Sequence, residues 1–218
     1  MENLFIIVLI CLIAVALLYT GDQTPALGII PAQIPGEIDY VVLSRWLAMM
    51  AMPLLINGYF LSQCREVELL TLLHLKETIK WLKVKLFGCF MHTILYTAIL
   101  VMPLFIFYEH TTAINAFVLL CMNNYLWMFI QIALDDVFPK ASITGLVVVA
   151  IIFFTFVVGE QVKDYAFCFP TSWGMVCRSK IRSDGNVEIG WFLIANLLSI
   201  LLCMSLFHGA MRKRRRQK

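Results

Sequence analysis

The sequence predicts an all-α polytopic membrane protein: six transmembrane helices, both termini cytoplasmic, and one domain over residues 1–218. Three observations carry that expectation. Apolar residues make up 61% of the chain and charged residues only 14%, against about a quarter charged in soluble domains. The apolar residues fall in long blocks nearly free of charge, each near the ~20 residues a helix needs to cross ~30 Å of hydrocarbon. Lys and Arg gather in segments that the positive-inside rule assigns to the cytoplasm. The net charge of +3 says less than this placement, and no basic surface interleaved with aromatics points to nucleic acid.

The first block is Asn3–Thr20, with Glu2 the only charge before it. A secretory signal peptide has a basic n-region and a small-residue cleavage site, so a retained span is expected. Gly21–Tyr40 holds acids, prolines and no Lys or Arg, the character of an outer loop. The second span is Val41–Ser62, with Arg45 near its outer end snorkelling outward and a pliable Met49, Met50, Met52, Pro53 centre. Leu86–Tyr108 is the third span and contains His92, read as a hydrogen-bonded interior side chain. Ala113–Leu134 is the fourth. Asn57 in the second span, with Asn123, Asn124 and Gln131 in the fourth, should face other helices rather than lipid. Asp135 and Asp136 oppose the dipole of the helix they end and call for a cation, which the basic segment on the same side can supply. A tight inner loop leads to the fifth span, Ala141–Gly159. The long polar stretch Glu160–Gly190 follows outside, then a sixth span, Gly190–Met211, and the basic tail RKRRRQK, an anchor for anionic lipid.

The stretch Gln63–Lys85 is the one internal segment both charged and leucine-rich. At helical periodicity Leu69, Leu72, Leu75, Ile79 and Leu82 share one side, and Glu68, His74, Glu77 and Thr78 lie roughly opposite. Such a helix is either a solvated connector packed on the spans or a docking surface for a cytoplasmic partner.

Of the seven cysteines, Cys168 and Cys177 share an outer loop, nine positions apart, a spacing that permits a disulfide in an oxidising compartment. Catalytic signatures are missing. The chain has no phosphate-binding GxxxxGK[ST] loop, no HExxH helix and no GxSxG elbow. No acid or Lys lies mid-span, where ion-driven transporters place one. No catalytic, cofactor-binding or metal residue is therefore assigned. A path or scaffold with no energy source of its own fits these absences.

This layout resembles the membrane subunits of type-2 ATP-binding-cassette exporters. ELLTLLHLKETIKWLKVK is similar in character to their coupling helix, and FPTSWGMVCRS to the outer-loop segment of short bacterial permeases for antimicrobial peptides, including lantibiotic self-immunity systems. The resemblance covers nearly the whole chain as topology. It departs at the start, where many members have an amphipathic helix before the first span. It implies a second permease chain, alike or different, and a separate ATPase subunit that holds ATP and Mg. Glu68, His74 and Glu77 would then dock the ATPase, with Leu69, Leu72, Leu75 and Ile79 anchoring the helix. Asn57, Asn123, Asn124 and Gln131 would lie along a substrate path. A non-transporting scaffold or sensor, docking a partner through residues 63–85, is the rival expectation.

Overall fold

The computed structural model describes residues 40–75, 78–107, 109–135, 138, 141–162, 167–178 and 188–216. The expected first span and the loop after it lie outside the described residues. Every regular element among the described residues is helical. They are α1 (Tyr40–Leu75), α2 (Thr78–Val101), the single turn α3 (Leu104–Phe107), α4 (His110–Asp135), α5 (Ala141–Gln161) and α6 (Ile189–Arg216), with two 3-10 turns, Pro170–Gly174 and Val176–Arg178, between α5 and α6.

Among the described residues four stretches are long and apolar enough to cross a membrane: Leu43–Arg65, Lys83–Val101, His110–Asp135 and Ile143–Gln161. They fall on the expected second to fifth spans. Helix α6 has a shorter described apolar stretch, Ile189–Ser205. Large apolar side chains stay exposed along it, among them Trp191, Ile194, Leu198, Leu201 and Leu202. A continuous apolar surface of this kind suits hydrocarbon rather than water.

Two boundaries differ from expectation. The helix of the second span does not stop at Ser62 but runs on to Leu75. No Gly or Pro occurs between Ser62 and Lys85 to break it. The described parts of the Gln63–Lys85 segment are helical, but its first half is the end of α1 and its second half the start of α2, with Lys76 and Glu77 outside the described residues. The third span ends at Val101 instead of Tyr108, because Pro103 has no N–H to return to the Ile99 carbonyl. The chain recovers in a tight turn, with Phe105 and Ile106 donating to the carbonyls of Met102 and Pro103 at 3.2 and 3.1 Å.

Helix α4 is the centre. It touches α1, α2, α5 and α6, while α1 packs mainly on α5 and α2. The main core gathers Trp46, Met49, Met50 and Leu54 of α1 with Leu100 of α2, Leu119 and Trp127 of α4, Ile152 and Phe156 of α5 and Phe192 of α6. A second cluster, nearer the Asp135 end, joins Leu61, Cys89, Leu126, Phe129 and Ile132.

Candidate functional site

Residues 167–178, between α5 and α6, enter the bundle. Phe167–Arg178 leaves the Gln161 end and packs against α4, α5 and α6. Thr171, Ser172, Gly174, Met175, Val176 and Cys177 are buried. The segment bonds to Asn123, roughly 20 Å along α4 from His110, near the middle of that 26-residue helix, and Trp173 packs on the second cluster beyond. Non-helical backbone at such depth is tolerated only where protein satisfies its polar groups. Two amides do so. Asn123 Nδ2 donates to the Pro170 carbonyl at 2.8 Å, and Asn196 Nδ2 donates to the Trp173 carbonyl at 3.2 Å. Trp173 closes the turn by donating Nε1–H to the Phe167 carbonyl at 2.8 Å. Gly174 permits the approach: a Cβ there would stand 3.1 Å from the Asn123 side chain.

The seat is itself bonded. Asn123 Nδ2 lies 3.3 Å from Asn196 Oδ1, Asn196 Nδ2 donates to the Phe192 carbonyl at 3.0 Å, and Trp127 donates to Asn123 Oδ1 at 3.1 Å. Each asparagine amide thus serves both the re-entrant segment and a neighbouring helix.

Beside the segment, Arg178 pairs with Glu160, the penultimate residue of α5, and both side chains are almost fully buried. Arg178 also donates to Ser172 Oγ at 3.2 Å and stands 5.4 Å from the Phe156 ring centroid. Removing one partner of such a pair leaves an uncompensated charge in low dielectric, at a cost of about 3–5 kcal/mol. At the opposite end, Arg65 reaches Asp135 at 2.8 Å and donates to the Phe138 carbonyl at 3.0 Å. The cation that the α4 C-terminus called for is therefore Arg65, which also holds Phe138.

Between the two ends runs a ladder of interhelical bonds. Asn57 donates to Thr93 Oγ1 and Asn124 to Thr97 Oγ1, both at 3.4 Å, and Gln131 donates to the Leu54 carbonyl at 2.8 Å. Gly145 lets α5 close on that last bond, its would-be Cβ 3.4 Å from Gln131 Nε2.

The four amides singled out in the sequence are thus all buried and bonded between elements of the bundle. Glu68, Leu69, Leu72, His74 and Leu75 belong to α1 and Ile79 to α2; their side chains, and all of Glu77, lie outside the described residues. The Cys168–Cys177 disulfide is not formed: Cys177 is buried in the main core while Cys168 is exposed. His92 also differs from expectation. Its Nδ1 has no hydrogen-bond partner, and the ring stacks edge-on to Phe60 at 5.1 Å. Among the described residues no three His, Cys, Asp or Glu gather as a metal site.

Asn196, Glu160 and Arg178 were not expected at the site. Asn196 carried a signal, as the one amide inside the apolar stretch of α6. Glu160 and Arg178 sit at the edges of blocks, where a charge reads as loop. Comparison with known protein families, with curated proteins and with solved structures finds no match to this chain.

Proposed function

We propose that this chain is a permease subunit of an ATP-binding-cassette exporter in a bacterial cytoplasmic membrane, working with a second permease chain and a separate ATPase that binds ATP and Mg. The observation that supports it most is the reach of α1. Its apolar stretch ends at Arg65 and the helix continues to Leu75, roughly 15 Å further at helical rise. A rigid extension of this kind suits contact with a subunit below the membrane. Arg65, at its base, is bonded to the end of α4, and α4 holds the re-entrant segment through Asn123. A displacement imposed on the extension therefore has a bonded route to the centre of the bundle.

ATP binding can move the spans only if the extension interacts differently with two states of the ATPase. Within the 63–85 segment, Glu68, His74 and Glu77 form the docking side, and Leu69, Leu72, Leu75 and Ile79 the anchoring side. The substrate is amphipathic, with antimicrobial peptides the class that the resemblance suggests. It passes between two permease chains, and Asn57, Asn123, Asn124 and Gln131 join its path only by exchanging the bonds they now make inside this chain. Those same bonds also favour a second reading, a static membrane scaffold or sensor that docks a partner through residues 63–85 without transport.

The test is ATPase co-purification and substrate-stimulated hydrolysis, normalised to inserted protein. Glu77→Lys should leave insertion intact and weaken assembly at least several-fold, since like charges across an interface cost affinity. Leu72→Asp should damage the permease itself. Co-purification with no stimulated hydrolysis supports the scaffold. Wild-type assembly after Glu77→Lys combined with changes at Glu68 and His74 overturns both readings.

A further inference from the structure

We propose that the re-entrant segment Phe167–Arg178 is a two-state plug, seated between α4, α5 and α6 and latched by the Glu160–Arg178 ion pair, and that it withdraws as a unit while the helices around it stay folded. The proposal does not depend on the transport reading, because it concerns only how this segment is held.

Four observations carry it. First, the clamps survive its departure. Asn123 Nδ2 is shared between the Pro170 carbonyl and Asn196 Oδ1, and Asn196 Nδ2 between the Trp173 and Phe192 carbonyls. When the segment leaves, each donor keeps its bond within the helices, so no buried amide is orphaned. Second, the seated form carries a polar debt: Thr171 Oγ1 is buried with no hydrogen-bond partner. Withdrawal to water removes that cost. Third, the segment is two short 3-10 turns with a break at Met175, the weaker helical geometry used in short pieces. It closes on itself through the Trp173–Phe167 bond and so can move with its own bonding intact. Fourth, the latch is at the rim. Glu160 is buried but adjoins exposed Gln161 at the end of α5, so water can take over its solvation once Arg178 departs.

Two native thiols report the motion. Cys177 rides on the segment and is 1% exposed, whereas Cys168 is exposed while the segment is seated. Cys89, fully buried near the Asp135 end, reports loss of the whole fold. The experiment is alkylation of the full chain in lipid nanodiscs, each cysteine followed by peptide mass. In the wild type, Cys177 should react far more slowly than Cys168, with a rate that stops rising at high reagent because opening limits it. Glu160→Gln should raise the Cys177 rate tenfold or more and leave Cys89 protected. The charge exchange Glu160→Arg with Arg178→Glu should bring the rate back toward wild type. Gly174→Ala, which presses on Asn123 without touching the ion pair, should also speed Cys177. An unchanged Cys177 rate in Glu160→Gln overturns the latch, as does failure of the charge exchange to restore protection. Parallel exposure of Cys89 in Glu160→Gln overturns the plug, since the bundle would then be opening as a whole.

Discussion

Pro53 lies inside α1 and cannot donate to the Met49 carbonyl one turn earlier. The Tyr96 hydroxyl, from α2, donates to that carbonyl at 2.9 Å. The proline thus creates a vacancy in one helix that a side chain of the next one fills, and the pair fixes how α1 and α2 register. Tyr96→Phe should leave the carbonyl unsatisfied and cost about 1–3 kcal/mol. In a Pro53→Ala background the restored N–H serves Met49, and the same substitution should cost less. A double-mutant cycle on thermal unfolding in detergent reads the difference; equal losses in both backgrounds would mean that Tyr96 acts by packing alone. The buried amides were legible in the sequence for a related reason, since Asn57, Asn123, Asn124 and Gln131 sit in hydrocarbon-length blocks and must find partners between helices. Glu160 and Arg178 were not legible, because a charge at the edge of an apolar block belongs equally well to a loop. Only the folding of residues 167–178 back into the bundle buries them.

At the scale of the element, blocks of apolar residues locate helices well and their ends poorly. No Gly or Pro lies between Ser62 and Leu75, so the continuation of α1 past Ser62 follows from the want of a breaker. Pro103 ends α2 early, within a block that composition alone reads as one span. How α2 lies on α1 also depends on a pair that no periodicity displays. Gly88 faces the Phe60 ring so closely that an added Cβ would stand 2.4 Å from its Cζ. Phe60 in turn packs edge-on against His92. Gly88→Ala should therefore drive the ring out of place and destabilise the α1–α2 contact by about 1–3 kcal/mol, the usual cost of overpacking. Phe60→Leu should relieve it, so that the double variant melts above Gly88→Ala alone. If Phe60→Leu and Gly88→Ala simply add, the ring is not what limits the approach.

For the molecule as a whole, the two ends of the bundle differ in charge, and that difference is the basis for a proposed orientation. The end that holds Arg65 and Asp135 carries the basic segment, with Arg65, Lys76, Lys80, Lys83 and Lys85 against Glu66, Glu68 and Glu77. The short link Met102–Glu109 at the other end has an acid and no Lys or Arg, and the stretch Glu160–Glu188 balances Lys163, Arg178, Lys180 and Arg182 with Glu160, Asp164, Asp184 and Glu188. On the positive-inside rule we propose that the Arg65 end faces the cytoplasm and the mouth of the re-entrant segment the outside. Cys64 would be the natural reporter, but at 5% exposure it is shielded by packing whichever side it faces. Lys83, exposed at the base of α2, and Cys168, exposed beside the re-entrant segment, lie at opposite ends and are better probes. In intact cells, Cys168 should react with a membrane-impermeant maleimide. A Lys83→Cys thiol should react only with a permeant reagent, or with the impermeant one after permeabilisation. The substitution removes a single charge from a segment with several, so the orientation signal persists. Impermeant labelling of Lys83→Cys with protection of Cys168 would invert the molecule, and an ATPase in the cytoplasm would then have no access to the extension of α1.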